Sequence, residues 1–167
     1  LNDPNSYVKK IFDFLKQHNE TVCVAESGTG GLISSFLTDQ EGASEFFVGG
    51  IVAYTWPVKI QQLEIPASLL EQKGDVNLEV AQLMAKGVRS LLKADWSLSI
   101  TGVMGPEKLE THEAGRIFTA VDHHVFSREE ACSAKIEGAS RMEVKRKSSI
   151  FCLDFLLSQM LRKGEVS

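Results

Sequence analysis

The sequence predicts an α/β protein: a three-layer α/β/α sandwich around a mixed sheet, with residues 1–167 as one domain. Three observations predict it. Helical and extended patterns alternate through the first hundred residues, the order that joins parallel strands through crossover helices. Two late extended stretches flank a polar turn, as an antiparallel pair does. A chain of 167 residues, 43% apolar and 24% charged, is long enough for one full hydrophobic core.

Each element has a local reason. In residues 4–18 Val8, Ile11, Phe12 and Leu15 recur at helical spacing behind Pro4. Thr21 to Glu26 reads as a strand, followed by a Gly-rich turn and a helix over 29–38. Phe46 to Tyr54 reads as a buried strand bent at Gly49-Gly50. Pro57 can open a helix through Leu63, and Pro66 a second short one, ended by Gly74. Residues 77–92 form the clearest amphipathic helix, with Asn77 as N-cap and Leu78, Ala81, Met84, Val88 and Leu91 on one face. Trp96 to Ile100 alternates like a strand. Ile117–Val121 and Ala131–Ile136 make the antiparallel pair, and a last helix runs over 140–162 with Ser140 and Glu143 in capping-box spacing.

Composition narrows the partners. A net charge of −4 argues against nucleic acid, whose backbone demands concentrated Lys and Arg. No apolar run approaches the ~20 residues of a membrane span, and no secretory signal is evident, so we expect a cytoplasmic protein with no membrane partner. The start at Leu1 leads us to expect a trimmed or processed chain. Cys23, Cys132 and Cys152 form no CxxC pair and read as small hydrophobes in a reducing compartment. His18, His112, His123 and His124 supply no cluster with them, so no metal is expected.

The stretch Ala25-Glu26-Ser27-Gly28-Thr29-Gly30-Gly31 carries the most information. A strand that turns through small residues into a helix presents free N–H groups and the positive end of the helix dipole, both favourable to an anion. The spacing matches neither a Walker A loop nor a dinucleotide GxGxxG, so ligand loop and tight turn both remain open. Arg141, Lys145, Arg146 and Lys147 crowd the first turns of the last helix, where positive charge opposes the dipole. A phosphate would compensate that charge, with Arg141 as its ligand, and a solvated basic face is the alternative for the other three.

The string AESGTGG (25–31) resembles the AESCTGG signature of the CinA C-terminal family, the nicotinamide mononucleotide deamidases. GASEFFVGGIVAYTWPVK (42–59), GDVNLEVAQLMAKGV (74–88) and SITGVMGP (99–106) follow in family order, so the resemblance covers the chain from about Val8 to Leu161. It implies a CinA C-terminal-like fold and hydrolysis of the nicotinamide mononucleotide carboxamide to nicotinic acid mononucleotide and ammonia, with no cofactor. By motif it implies a serine nucleophile at Ser44, assisted by Tyr54 and Lys59. Thr101 takes a place near the reacting centre, and Arg141 the arginine position of the last helix. Glu26, Thr29, Gly30 and Gly31 become a wall of the nucleotide pocket, and the backbone of Gly102 to Gly105 a candidate oxyanion site. A lysine works as a base only as the free amine, which burial and nearby cations favour.

An extended strand over 46–54 would span roughly 30 Å at ~3.3 Å per residue and separate Ser44 from Lys59. We therefore expect a homo-oligomer in which the serine of one subunit meets the lysine of another. The chain departs from the pattern at Gly28 (cysteine in the family), at Thr55-Trp56-Pro57 and at Asn77. The largest departure is at EKLETHEAG (107–115), where Glu107, Glu110 and Glu113 replace a Gly-rich loop. Those departures keep an alternative open: an inactive or altered member serving as a nucleotide-binding or interaction module. A role in DNA damage or competence rests only on the family's historical name. The resemblance also leads us to expect that the further N-terminal domain of longer family members is lacking here.

Overall fold

Five consecutive residues of the first strand, β1 (Val22–Glu26), are buried. Val22 and Val24 face one side and Cys23 and Ala25 the other, as the pleat requires, so a strand covered on both faces reads as an unbroken apolar run. The structure is a computed structural model and describes residues 3–109, 111–125 and 130–164. β1 pairs in parallel with β2 (Phe47–Val52) and β3 (Trp96–Gly102). β4 (Arg116–His123) lies antiparallel to β3, and β5 (Glu130–Lys135) antiparallel to β4, in the order β2-β1-β3-β4-β5.

One face of the sheet carries α1 (Pro4–His18), α2 (Leu32–Thr38) and α6 (Arg141–Gly164); the other carries α3 (Trp56–Leu63), α4 (Ala67–Lys73) and α5 (Leu78–Leu92). Val8, Ile11 and Leu15 dock α1 against Leu153, Leu156 and Met160 of α6. Each fully buried aliphatic of this kind contributes about 1.5–3 kcal/mol. On the other face Val80, Met84 and Val88 of α5 pack with Leu63, Ile65 and Leu70. The three-layer mixed sandwich is therefore as the alternation predicts.

Two local expectations change in detail. The helix expected over 29–38 starts only at Leu32, because Gly31 at its N-cap holds a left-handed backbone (φ 98°). The bend expected at Gly49-Gly50 is a register slip: Val22 pairs with Phe47 but Cys23 with Gly49, leaving Val48 as the extra residue. In β3 the alternating serines do not face water. Ser97 Oγ and Ser99 Oγ donate to the carbonyls of Ala85 and Ala81, so α5 lies close on small residues with its polar neighbours satisfied. As expected, Asn77 Oδ1 caps α5 by accepting from Val80 N–H at 2.9 Å.

The chain leaves β1 for β2 through α2 on one face and returns past β1 to β3 through α3–α5 on the other. The crossovers thus diverge at β1, and in such sheets a crevice opens at the carboxyl ends of the strands flanking that point. Here those ends are Glu26-Ser27 and Thr101-Gly102.

Candidate active site

A cleft of about 420 Å³ occupies that crevice, within the range of small-molecule sites. Ser27, Tyr54, Asp75, Gly102, Gly105 and Arg141 lie on its lining. Its floor is polar. Lys59 reaches it from the first turns of α3 with its side chain fully buried, and donates from Nζ to Ser27 Oγ at 3.2 Å and to Asp75 Oδ2 at 2.8 Å. α3 starts at Trp56 with Pro57 in its first turn, where no intrahelical N–H is needed, and Lys59 follows two residues on with its side chain buried. Ser27 is fixed by its N–H, which donates to the Ile100 carbonyl at 3.1 Å, and by its carbonyl, which accepts from Gly30 N–H at 3.0 Å.

The roof is a second set of ties. Arg141, one residue into α6, donates to the Gly105 carbonyl at 2.8 Å and to the Tyr54 hydroxyl at 3.1 Å. Tyr54 is 55% exposed, so its ring stands at the mouth of the cleft with only its hydroxyl tethered. Thr101 turns away from the lining and donates from Oγ1 to the Asp75 carbonyl at 2.8 Å. Glu107, Lys108 and Leu109 stand on the rim, which therefore carries a basic side chain beside the acidic one expected there. Glu110 lies outside the described residues.

The structure separates Ser44 from this group. Ser44 is exposed in a 3-10 turn (Ala43–Glu45) ahead of β2, while Tyr54 and Lys59 follow that strand. Six residues of β2, about 20 Å, lie between them. The Lys59 amine is fully enclosed and already engaged with a serine of its own chain, so a serine from a second copy reaches it only if this floor opens.

The anion cradle is also occupied, by the protein itself. Glu26 is fully buried, and its carboxylate accepts from the N–H groups of Gly31 (3.2 Å), Ile33 (3.0 Å) and Ser34 (2.8 Å) and from Ser34 Oγ (2.8 Å). The N-terminus of α2 thus holds a side-chain carboxylate where a phosphate was anticipated, and Glu26 and Gly31 are structural partners of each other. Gly30 is exposed on the same turn, whereas Thr29 is buried with an unpartnered Oγ1. At the basic start of α6 three of the four cations have partners, and Lys145 Nζ lies beside the same turn, 3.4 Å from where a Cβ on Gly30 would stand. Besides the ties of Arg141, Arg146 stacks on Phe36 at 5.5 Å, and Lys147 binds Glu143 at 2.6 Å and the Glu137 carbonyl at 2.9 Å. Ser140 Oγ accepts from Glu143 N–H, and Glu143 reaches back to Ala139 N–H, one residue beyond the usual box. The hydrogen bond from Lys147, with that from Ala139, holds the exposed Glu143 carboxyl below its ordinary range.

Gly28 sits where the family pattern has cysteine. A Cβ there would lie 2.6 Å from Met104 Cγ and 2.9 Å from Met104 Cε, so the Met104 side chain fills that space. No cysteine lines the cleft. Burial pushes the Cys23 and Cys152 thiols up to about 12, and that of Cys132 up as well. Two residues of the floor, Ser27 and Asp75, were missed from sequence. The available signal for Ser27 was its place just past a buried parallel strand; Asp75 had only its position between Gly74 and the α5 cap.

Fold and cleft together define an α/β protein with a serine–lysine pair at the carboxyl edge of its sheet. The chain belongs to the CinA C-terminal domain family, whose model matches residues 4–160. A competence-damage inducible protein of Streptococcus agalactiae serotype III is 36% identical over 162 residues, which are 96% of this chain and 38% of that protein. One of Bacillus subtilis is 36% identical over 161 residues, with the same shares. The chain therefore spans well under half the length of these relatives. A competence or damage-inducible protein from Enterobacter asburiae superposes with a TM-score of 0.90 at 27% identity, over 96% of this chain and 99% of that one. A competence damage-inducible protein of Klebsiella pneumoniae shares the fold (TM-score 0.91, 24% identity, 96% and 98% covered). Among the described residues no helix is long and apolar enough to cross a membrane.

Proposed function

We propose that this chain is an amide hydrolase acting on nicotinamide mononucleotide, with Ser27 as nucleophile and Lys59 as its base. One observation carries the reading: the Lys59 amine lies 3.2 Å from the Ser27 hydroxyl on the floor of a cleft that opens to solvent. A serine hydroxyl is a poor nucleophile until a neighbouring base takes its proton, and a buried lysine amine in contact with it is such a base.

In this scheme Lys59, as the free amine, takes the Oγ proton while Oγ bonds to the carboxamide carbon. The oxygen that becomes negative is held by backbone N–H groups of Met104 and Gly105 on the lining; that of Val103 is committed to the Arg116 carbonyl at 2.9 Å. The Lys59 ammonium then gives its proton to the departing nitrogen, and ammonia leaves an ester on Ser27. Water attacks the ester, Lys59 again accepts a proton, and the pyridine carboxylate is released with Ser27 restored. Tyr54 and Arg141 border the mouth, where a ribose phosphate extending outward would lie. Because Ser27 and Lys59 come from one chain, the chemistry does not depend on a homo-oligomer. A cytoplasmic location follows with this substrate.

Ammonia release from nicotinamide mononucleotide tests the reading. Activity lost in Ser27→Ala and Lys59→Met but kept in Ser44→Ala is the expected outcome. Activity that survives Ser27→Ala and disappears in Ser44→Ala would overturn it. Glu107 on the rim favours a second reading, an altered member that holds a different pyridine amide or only binds a nucleotide. No turnover of any pyridine nucleotide amide by the wild type would select it.

A further inference from the structure

We propose that Asp75 is a positioning residue for the serine–lysine pair: its carboxylate holds the Lys59 amine on Ser27 and stabilises the ammonium formed as the serine proton arrives. The inference rests on Ser27 being the nucleophile. A lysine side chain carries four methylenes and rotates freely, so an amine that must meet one hydroxyl needs a second anchor. Asp75 Oδ2, 2.8 Å from Nζ, is that anchor, and among the described residues Lys59 has no other ion-pair partner.

Asp75 is itself held on both sides. Gly74 ends α4 with a positive φ of 69°, and its carbonyl accepts from Asn77 Nδ2 at 3.0 Å. The Asp75 carbonyl accepts from the buried Thr101 Oγ1 at 2.8 Å. This explains why Thr101, expected near the reacting centre, faces away from the cleft: it pins the residue that pins the base. The side chain of Asp75 is one quarter exposed, so its carboxylate keeps water contact while the amine has none.

The charge balance fits this division of work. Proton transfer from Ser27 creates a cation in an enclosed place, and an adjacent anion stabilises that cation without taking the proton. Among the described residues the other ionisable groups on the cleft lining are Tyr54 before α3, Glu107 and Lys108 on the rim, and Arg141 on α6. These four sit at the mouth or roof, whereas Asp75 joins Lys59 on the floor. Removing its charge takes that stabilisation from the ammonium and leaves the amine without its second anchor. A small carboxylate that refills the place restores both, a recovery that loss of fold does not show.

Labelling of Ser27 by a fluorophosphonate reads this without reference to any substrate. The Oγ–P bond forms, the P–F bond breaks, fluoride leaves and the serine proton passes to Lys59. Labelling rates are measured at pH 8 on the full chain, with Ser27→Ala as the blank and thermal melts showing that each variant is folded. In Asp75→Asn we expect labelling about tenfold or more slower. Formate added to Asp75→Ala is expected to recover labelling saturably while leaving the wild-type rate unchanged, and this pair serves alone if Asp75→Asn does not fold. Wild-type rates in Asp75→Asn or no rescue by formate would each overturn the proposal. A wild type not labelled at Ser27 would remove the nucleophile and the proposal with it. Labelling at Ser27 without turnover of nicotinamide mononucleotide would remove the substrate alone.

Discussion

Replacing Glu26 by Gln tests whether the first loop is a ligand cradle or an internally capped turn. The carboxylate accepts four hydrogen bonds, two on each oxygen. A glutamine keeps one acceptor oxygen and puts an NH₂ in the other place. Its better orientation leaves the oxygen on Gly31 and Ile33 and turns the NH₂ to Ser34, whose hydroxyl can rotate to accept. The Ser34 N–H then has no partner, and because it is part-buried the cost lies toward the lower end of the about 1–3 kcal/mol of a buried donor. The surviving bonds lose their charge assistance, and the α2 N-terminus loses an anion worth about 0.3–1 kcal/mol. Relief of the buried charge offsets part of this, so the net loss is about 2–4 kcal/mol. For a chain of this size that is a Tm lower by roughly 4–16 °C. Urea unfolding followed by circular dichroism, with equal m-values, measures it. A loss below about 1 kcal/mol would refute the capping argument and return these N–H groups to a ligand.

Three further outcomes follow from the same contacts. Gly28→Cys forces its Cβ into Met104 and should cost about 1–3 kcal/mol in urea unfolding; Met104→Ala in the same chain should recover much of it, and additive losses would contradict the packing. At pH 8 a thiol reagent should modify Cys132 first and reach Cys23 and Cys152 only on unfolding, and three equal rates would count against their burial. Folding raises those two thiols to about 12, so their contribution to stability is whole below about pH 8.5 and is lost as pH climbs toward 12. Arg141→Met should leave stability within about 1 kcal/mol but raise KM for the nucleotide about tenfold, because Tyr54 and the Gly105 carbonyl lose their common tie; an unchanged KM would show that the tie is ornamental.

The layers of the fold were legible because their causes are local. Val22–Ala25 is apolar on both faces, α5 shows one clean stripe, and Asn77 and Ser140 announce helix starts. The Arg141 contact with Tyr54 joins two positions that the family pattern had already singled out. The partner of Lys59 was not legible. Ser44 and Ser27 both sit next to strands, Ser44 ahead of β2 at the amino edge of the sheet and Ser27 past β1 at the carboxyl edge, and only the fold brings the second onto the Lys59 amine. Asp75 was invisible because its partner is sixteen residues away across two helix ends, a separation that no periodicity encodes. The internal partners of Glu26 were hidden for a different reason. The free N–H groups of a helix start are evident in a sequence, but the side chain that satisfies them is not.

Gly28 and Met104 share one volume beside the cleft although they lie far apart in the chain. A side chain at 28 and the present Met104 compete for that volume, so a larger residue at one position calls for a smaller one at the other. Their sum, rather than either residue alone, sets how much room this wall of the cleft leaves for a ligand.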